Sequence, residues 1–195
     1  MADGPILHES KHVILRRMTG HHQEEFTELA RKSAELHDLW IYAPKTAAEF
    51  SEYLQRFDGI TAECTLICRR ESDEIAGFVS ISEIIRGPYQ RATVGYGVFA
   101  PSERQGYMTE GFDLVFRYAF RDLKLHRLEA DIQPENKASL CFAEKVGFKR
   151  EGFSIGLVCI KGSWKNHERW AISSDMWEKI SRNEDAHLLS NAETM

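Results

Sequence analysis

A chain of 195 residues, 43% hydrophobic and 28% charged, holds enough material for one domain with a real core and too little for two comfortable ones. Its formal net charge of −5 leaves no general basic field to hold nucleic acid, and no apolar run approaches the roughly 20 residues that span a bilayer. The opening MADGPILHESKH has neither the basic start nor the apolar centre of a signal peptide, so the expectation is a soluble, cytoplasmic protein without membrane or nucleic-acid partners.

In chain order, KHVILRRMT (11–19) reads as a first strand and HQEEFTELARKSAELHDL (22–39) as a helix, with Phe26, Leu29, Ala30 and Leu36 near helical spacing. WIYAPKT ends it, because Pro44 lacks the amide that a helix interior needs. AAEFSEYLQRF predicts a second helix that stops at Asp58-Gly59. Strands follow at 63–70 and 75–85 around the turn ESDE, then the loop RGPYQRA and a strand over 93–99. PSERQGYMTEGFDLVF enters a helix predicted to run to about Lys124, with Phe112, Val115, Phe116, Ala119 and Leu123 along one face. HRLEADI (126–132) alternates, setting Leu128, Ala130 and Ile132 opposite Arg127, Glu129 and Asp131. PENKASLCFAEKVGF predicts a helix with Asn136 at its start and Gly147 just past its end. IGLVCIK and WKNHERWAI are strands around the Gly162-Ser163 turn, and a polar tail begins near Glu178. Strands in runs with helices crossing between some of them make one α/β domain with a mixed sheet.

The four cysteines form no CxxC pair and no disulfide framework. Cys64 and Cys68 read as small core residues, and neither they nor His8, His12, His21 and His22 bring enough partners for a metal site.

The strand-loop-helix join at 99–107 is the first chemical signal. A helix entry leaves backbone amides unpaired and the positive end of the dipole exposed, and phosphate is their natural partner. Gly106 permits close approach and Arg104 adds charge, whereas Glu103 and Glu110 must point away. A plain turn is the alternative. Gly111 reads as a helix-packing glycine.

ERQGYMTEG resembles the coenzyme A pyrophosphate loop of the GNAT superfamily of N-acetyltransferases, with Glu103 at its leading Gln/Arg position, Gly106 at its glycine and Met108 at its final small position. RGPYQRATVGYGV (86–98), NKASLCFAEKVGFKREGF (136–153) and IKGSWKNHERWAI resemble the RimJ-like branch, which acetylates N-terminal alanine of ribosomal proteins. The likeness runs from about Val13 to Trp177, so the expected domain covers 11–177 and the tail 178–195. It implies a mixed, mostly antiparallel sheet splayed in a V and flanked by helices, with acetyl-CoA as co-substrate in the gap. The pantetheine arm is then expected along Val98 and Phe99, and the pyrophosphate on Arg104, Gln105, Gly106, Tyr107 and Met108. A backbone amide near Phe99 would polarise the thioester carbonyl.

Many relatives carry an acidic tyrosine where this chain has Ala143; the RimJ-like pattern N-x-x-S is matched by Asn136 and Ser139 instead. The resemblance therefore implies Asn136 and Ser139 against the CoA sulfur and pantetheine amide, with Ser139 as the acid. Glu151 and Glu83 are the candidate bases. Trp40, Tyr42, Tyr89 and Tyr96 are candidates for the acceptor wall or for the core, with the core favoured for Tyr96. Asn166 departs from the aspartate usual in the branch. The implied acceptor is the N-terminal α-amino group of a ribosomal or other protein. A polyamine or aminoglycoside acceptor, or a noncatalytic CoA-binding module, are the alternatives. The oligomeric state is open, with a homodimer compatible.

Overall fold

The computed structural model describes residues 4–38 and 40–182. Its strands are β1 (Ile6–Glu9), β2 (Val13–Arg17), β3 (Glu63–Arg69), β4 (Ile75–Ile85), β5 (Arg91–Val98), β6 (Arg127–Ile132), β7 (Lys149–Ile160) and β8 (Ser163–Ser173). The helices are α1 (Gln23–Lys32), α2 (Ala34–His37), α3 (Ala47–Leu54), α4 (Tyr107–Arg117), α5 (Lys137–Lys145) and α6 (residues 174–182). One sheet in the order β1-β2-β3-β4-β5-β6-β8-β7 runs through the molecule. Every neighbouring pair is antiparallel except β5 and β6.

Helices cover both faces. β3 is buried along nearly its whole length, as a central strand between two layers must be. On one face Phe112, Val115 and Phe116 of α4 join Leu15, Ile67 and Leu128 in one core cluster. On the other, Phe26 and Phe50 from α1 and α3 pack with Phe78 and Phe99, ring centroids 5.1–5.4 Å from Phe26. Gly111 is the contact that lets α4 lie so close to the sheet. A Cβ there would stand 2.6 Å from Ile67 Cδ1, so the packing reading of this glycine has a definite steric cause.

The predicted helix over 22–39 is two pieces. Ser33, 1% exposed, interrupts it with non-helical torsions, and its Oγ accepts the Ala100 amide at 2.8 Å. α4 passes into a π-helical stretch at Tyr118–Asp122. β1 was not anticipated, and it precedes the expected start of the domain. α6 buries Trp177, and residues 183–195 of the expected tail lie outside the described residues.

The gap that matters lies between β5 and β6. Their parallel pairing covers only Arg91, Ala92 and Thr93 against Arg127, Leu128 and Glu129. Beyond Thr93, β5 follows β4 to Val98 while β6 follows β8 to Ile132. The strands part in a V.

Candidate active site

One wall of the V is the free edge of β5. Odd-numbered residues turn their main-chain groups toward β4: Ser80 Oγ donates to Gly95 O at 3.2 Å, Ser82 Oγ to Thr93 O at 3.4 Å, and the Phe99 amide to Ala76 O at 2.9 Å. Alternation then turns Tyr96 and Val98 toward the gap. His37 Nε2 donates to the Val98 carbonyl at 2.7 Å, and burial lowers the imidazole pKa. The expected role of Phe99 is corrected here. Its amide is already spent on β4 and its side chain is fully buried among aromatic rings, so it can neither pair with a pantetheine arm nor polarise a thioester. Val98 and Tyr96 own the amides that face the gap.

At the mouth of the V the chain turns through Ala100–Ser102 and enters α4. Gly106, the N-cap, has φ +87°, a conformation that L side chains rarely adopt, and a Cβ built on it meets no protein atom within 4 Å. Arg104 is also left-handed, at φ +59°, and its side chain reaches into solvent, 3.3 Å from Glu103. The first main-chain bond at this end of α4 runs from the Glu110 amide to Gly106 O at 3.1 Å, leaving the preceding amides in the exposed position described for helix starts. Glu110 does point away. Burial raises its pKa, but hydrogen bonds from Ser10 and His12 outweigh it and hold the carboxylate low. Arg69 braces the turn, donating to Pro101 O and Ser102 Oγ at 3.1 Å and lying 5.2 Å over the Tyr107 ring. The loop is open, amide-lined and clear of carboxylates on the helix side. A pyrophosphate fits it.

Behind it, a cavity of about 300 Å³ occupies the V. Asn136 and Ser139 both line it, brought together by α5: Asn136 Oδ1 accepts the Ser139 amide at 3.1 Å, capping the helix. Tyr96, expected in the core, belongs partly to both. It packs against Phe112 and Phe142, each 5.1 Å away, yet lines the cavity, and its hydroxyl donates to Ser139 O at 3.2 Å. Burial pushes its phenol pKa up.

The two expected bases fare differently from Asn136 and Ser139. Glu151 does not line the cavity; its carboxylate is paired with Arg127, at 2.9 Å from Nη1 and closer still to Nη2, and this pairing holds its pKa low. A carboxylate locked to arginine at the outer strand is a poor proton acceptor for this gap. Glu83 sits at the irregularity in β4 with φ +53°, accepts from Thr93 Oγ1 at 3.2 Å, and is exposed outside the cavity. Tyr89 is exposed on the β4–β5 loop and also lies outside, whereas Trp40 and Tyr42 do line it. Asn166 is occupied elsewhere, its Oδ1 accepting the Gly156 amide at 2.9 Å across the β7–β8 hairpin. Cys64 and Cys68 are buried in the core, and burial pushes the Cys64 thiol up to about 12.

Asp131 and His167 complete the cavity, and neither was singled out from the sequence. Asp131 projects from the polar side of β6, the side opposite Leu128, Ala130 and Ile132. Burial raises its pKa, opposed by the charges of Arg169 and His167. Arg169 Nε stands 2.8 Å from Oδ1 but out of line for a hydrogen bond, and Nη2 of that guanidinium donates to Glu129 at 3.2 Å. His167, 4% exposed, has Nδ1 3.1 Å from Lys165 O, which fixes a proton on that nitrogen. A half-buried carboxylate of raised pKa in an open cleft is equipped to receive a proton. The alternation of HRLEADI was the signal that could have found it.

Residues 12–149 match the family described as the acetyltransferase (GNAT) domain. The chain is 39% identical over 122 residues to the probable N-acetyltransferase YjcK of Bacillus subtilis (strain 168), covering 63% of this chain and 67% of that protein. It is 29% identical over 107 residues to the ribosomal protein uS5 alanine N-acetyltransferase of Escherichia coli (strain K12), covering 55% of each, so the match spans about half that protein's length. Among solved structures, Mycobacterium smegmatis RimJ in complex with CoA-disulfide superposes with a TM-score of 0.73 at 22% identity, covering 84% of this chain and 82% of that one. That likeness is one of fold.

Proposed function

Because the chain belongs to the GNAT acetyltransferase family, we propose that its N-acetyltransferase chemistry acts on the N-terminal α-amino group of a protein; the Escherichia coli relative is named a ribosomal protein uS5 alanine N-acetyltransferase. The observation that supports this most is the pairing of opposite roles in one cleft. Asp131 of raised pKa stands on the β6 wall, while Asn136 and Ser139 stand on α5 beside the gap-facing edge of β5. An α-amino group has a pKa of about 7.7–8.0 and yields its proton far more readily than a lysine near 10.4. A single carboxylate of modest basicity therefore suffices.

Acetyl-CoA supplies the activated acyl group. The amides before Glu110 and the space above Gly106 hold its diphosphate, and the edge of β5 at Tyr96 and Val98 aligns its arm. Asp131 orients the incoming ammonium and takes its proton, directly or through one water. The freed lone pair forms the C–N bond, the nitrogen's surplus proton passes to solvent, the C–S bond breaks, and the departing thiolate takes a proton from solvent or from Ser139, which solvent then reprotonates. A thiol pKa of about 8.5 makes that thiolate a fair leaving group, so Ser139 has little to supply. Ser139→Ala is accordingly expected to lower kcat by about tenfold at most, below the usual ~10²–10⁴-fold range of acid-base assistance, and to leave the Kd for CoA nearly unchanged. A kcat within about twofold of wild type would make solvent the acid.

The reaction class is tested by thiol release from acetyl-CoA against a panel of short peptides with free N-termini, polyamines and aminoglycosides. Release is expected with peptides and not with their N-terminally blocked forms. Release confined to small amines would replace the peptide reading, and CoA binding without release for any acceptor would favour a noncatalytic module.

A further inference from the structure

The steps above leave one cation in the cleft unused. Arg56 lines the cavity from the turn after α3, its guanidinium carbon 5.4 Å over the ring of buried Tyr53. Among the described residues it forms no ion pair. The nearby acid, Asp58, is fully engaged in its own turn: it accepts from the Ile60 amide at 2.8 Å, the Thr61 amide and hydroxyl at 2.7 Å each, and the Ala62 amide at 3.1 Å. A guanidinium stacked on an aromatic ring, exposed and without an ion pair among the described residues, keeps its donors available to an anion that enters the cleft. On the β6 wall the cavity carries a carboxylate, Asp131, partly offset by Arg169, whose Nε stands 2.8 Å from Oδ1.

The acceptor site is thus polarised, anion on one wall and cation on another, with Tyr42 and Phe57 offering apolar surface. A polyamine brings only positive charge and is repelled by Arg56 as it is attracted by Asp131. An amine that also carries a carboxylate satisfies both walls. Resting on the N-acetyltransferase reading above, we propose that the acceptor is a peptide N-terminus with an acidic side chain at its second or third residue, and that Arg56 is the residue that selects it. Arginine is suited to this, since its planar fork can bind a carboxylate through two parallel hydrogen bonds.

The test uses the full chain with saturating acetyl-CoA and three peptides that differ only at their second residue, Ala-Glu-, Ala-Gln- and Ala-Lys-, together with spermidine. Wild type is expected to favour the glutamate peptide over the lysine peptide by about tenfold in kcat/KM at low salt, with the preference shrinking as salt rises. Arg56→Glu should reverse that order and Arg56→Gln should flatten it, with melting temperatures checking that both variants fold. Indifference of wild type within about twofold, a preference for spermidine, or an order unchanged in Arg56→Glu would overturn the proposal. If no peptide is acetylated, the N-terminal transfer reading fails by itself. Calorimetry of the same peptides on the CoA-bound protein then decides about Arg56, a charge-dependent preference that reverses in Arg56→Glu supporting it and equal affinities refuting it.

Discussion

Asp131→Asn is expected to lower kcat for a peptide acceptor by about 100-fold at pH 7, the low end of what a positioned base contributes, while the Kd for CoA stays unchanged. The substitution keeps the size of the side chain and removes only its charge and basicity. Because the role is to take a proton from the acceptor ammonium, the deficit should narrow as pH rises past about 8, where bulk water deprotonates an α-amino group without help. Stability gives an independent control. The folded-state pKa of Asp131 lies above its ordinary value, chiefly through burial, so the ionised form is the one the fold disfavours. That penalty is complete above the raised pKa and disappears as pH falls below the ordinary value of 3.8. Asp131→Asn should therefore melt at the same temperature as wild type or higher at neutral pH. A loss below threefold, or one of equal size at every pH, would remove Asp131 from the proton path.

Gly106→Ala is expected to raise the Kd for CoA by about 100-fold or more, since losing two charge-assisted hydrogen bonds of ~1.5–3 kcal/mol each is sufficient. Two causes must be separated. At φ +87° any L residue is strained, by about 1–2 kcal/mol for alanine, and the added Cβ also enters the space through which a phosphate approaches the amides. Gly106→Asn distinguishes them, because asparagine tolerates the left-handed region better than alanine while filling the same space. Melting curves and calorimetry on both variants are the measurement. Stability recovered in the asparagine variant with CoA binding still lost would point to steric exclusion. Wild-type affinity in a folded asparagine variant would move the pyrophosphate elsewhere.

The layout of α4 could be read from its periodicity, because that depends only on residues near in sequence; Gly111 could be read as a packing glycine, but not that Ile67 of β3 is what it meets. The helix start at Asn136, with Ser139 one turn further on, was equally legible. What escaped depended on distant partners. The first residues of β7, KREGFS, show no apolar alternation because they pair at the outer edge of the sheet, where only β8 supports them. Ser33 breaks a helix by bonding to Ala100, far along the chain. Phe99 was misassigned because the direction in which an amide points is set by pairing with β4, a phase that its own segment does not reveal. Asp131 could be placed on the polar side of its strand, but its burial comes from the way β6 and β8 part company with β5.

The brevity of the β5–β6 contact also bears on how the protein resists heat. Three residue pairs stitch the β1–β5 leaf to the β6–β8 leaf, and α4 and α5 bind the spine. Beyond Thr93 the amides of Tyr96 and Val98 pair with neither β4 nor β6, so an extended ligand lying along them, as proposed above, would be expected to shield them from hydrogen exchange. A ligand at 100 times its Kd stabilises its folded host by about 2.7 kcal/mol, a substantial share of the ~5–15 kcal/mol that holds a typical domain together. On the function proposed above, turnover and durability would be coupled through one metabolite, and the protein is expected to melt higher and to resist proteolysis longer with acetyl-CoA or CoA added than without either.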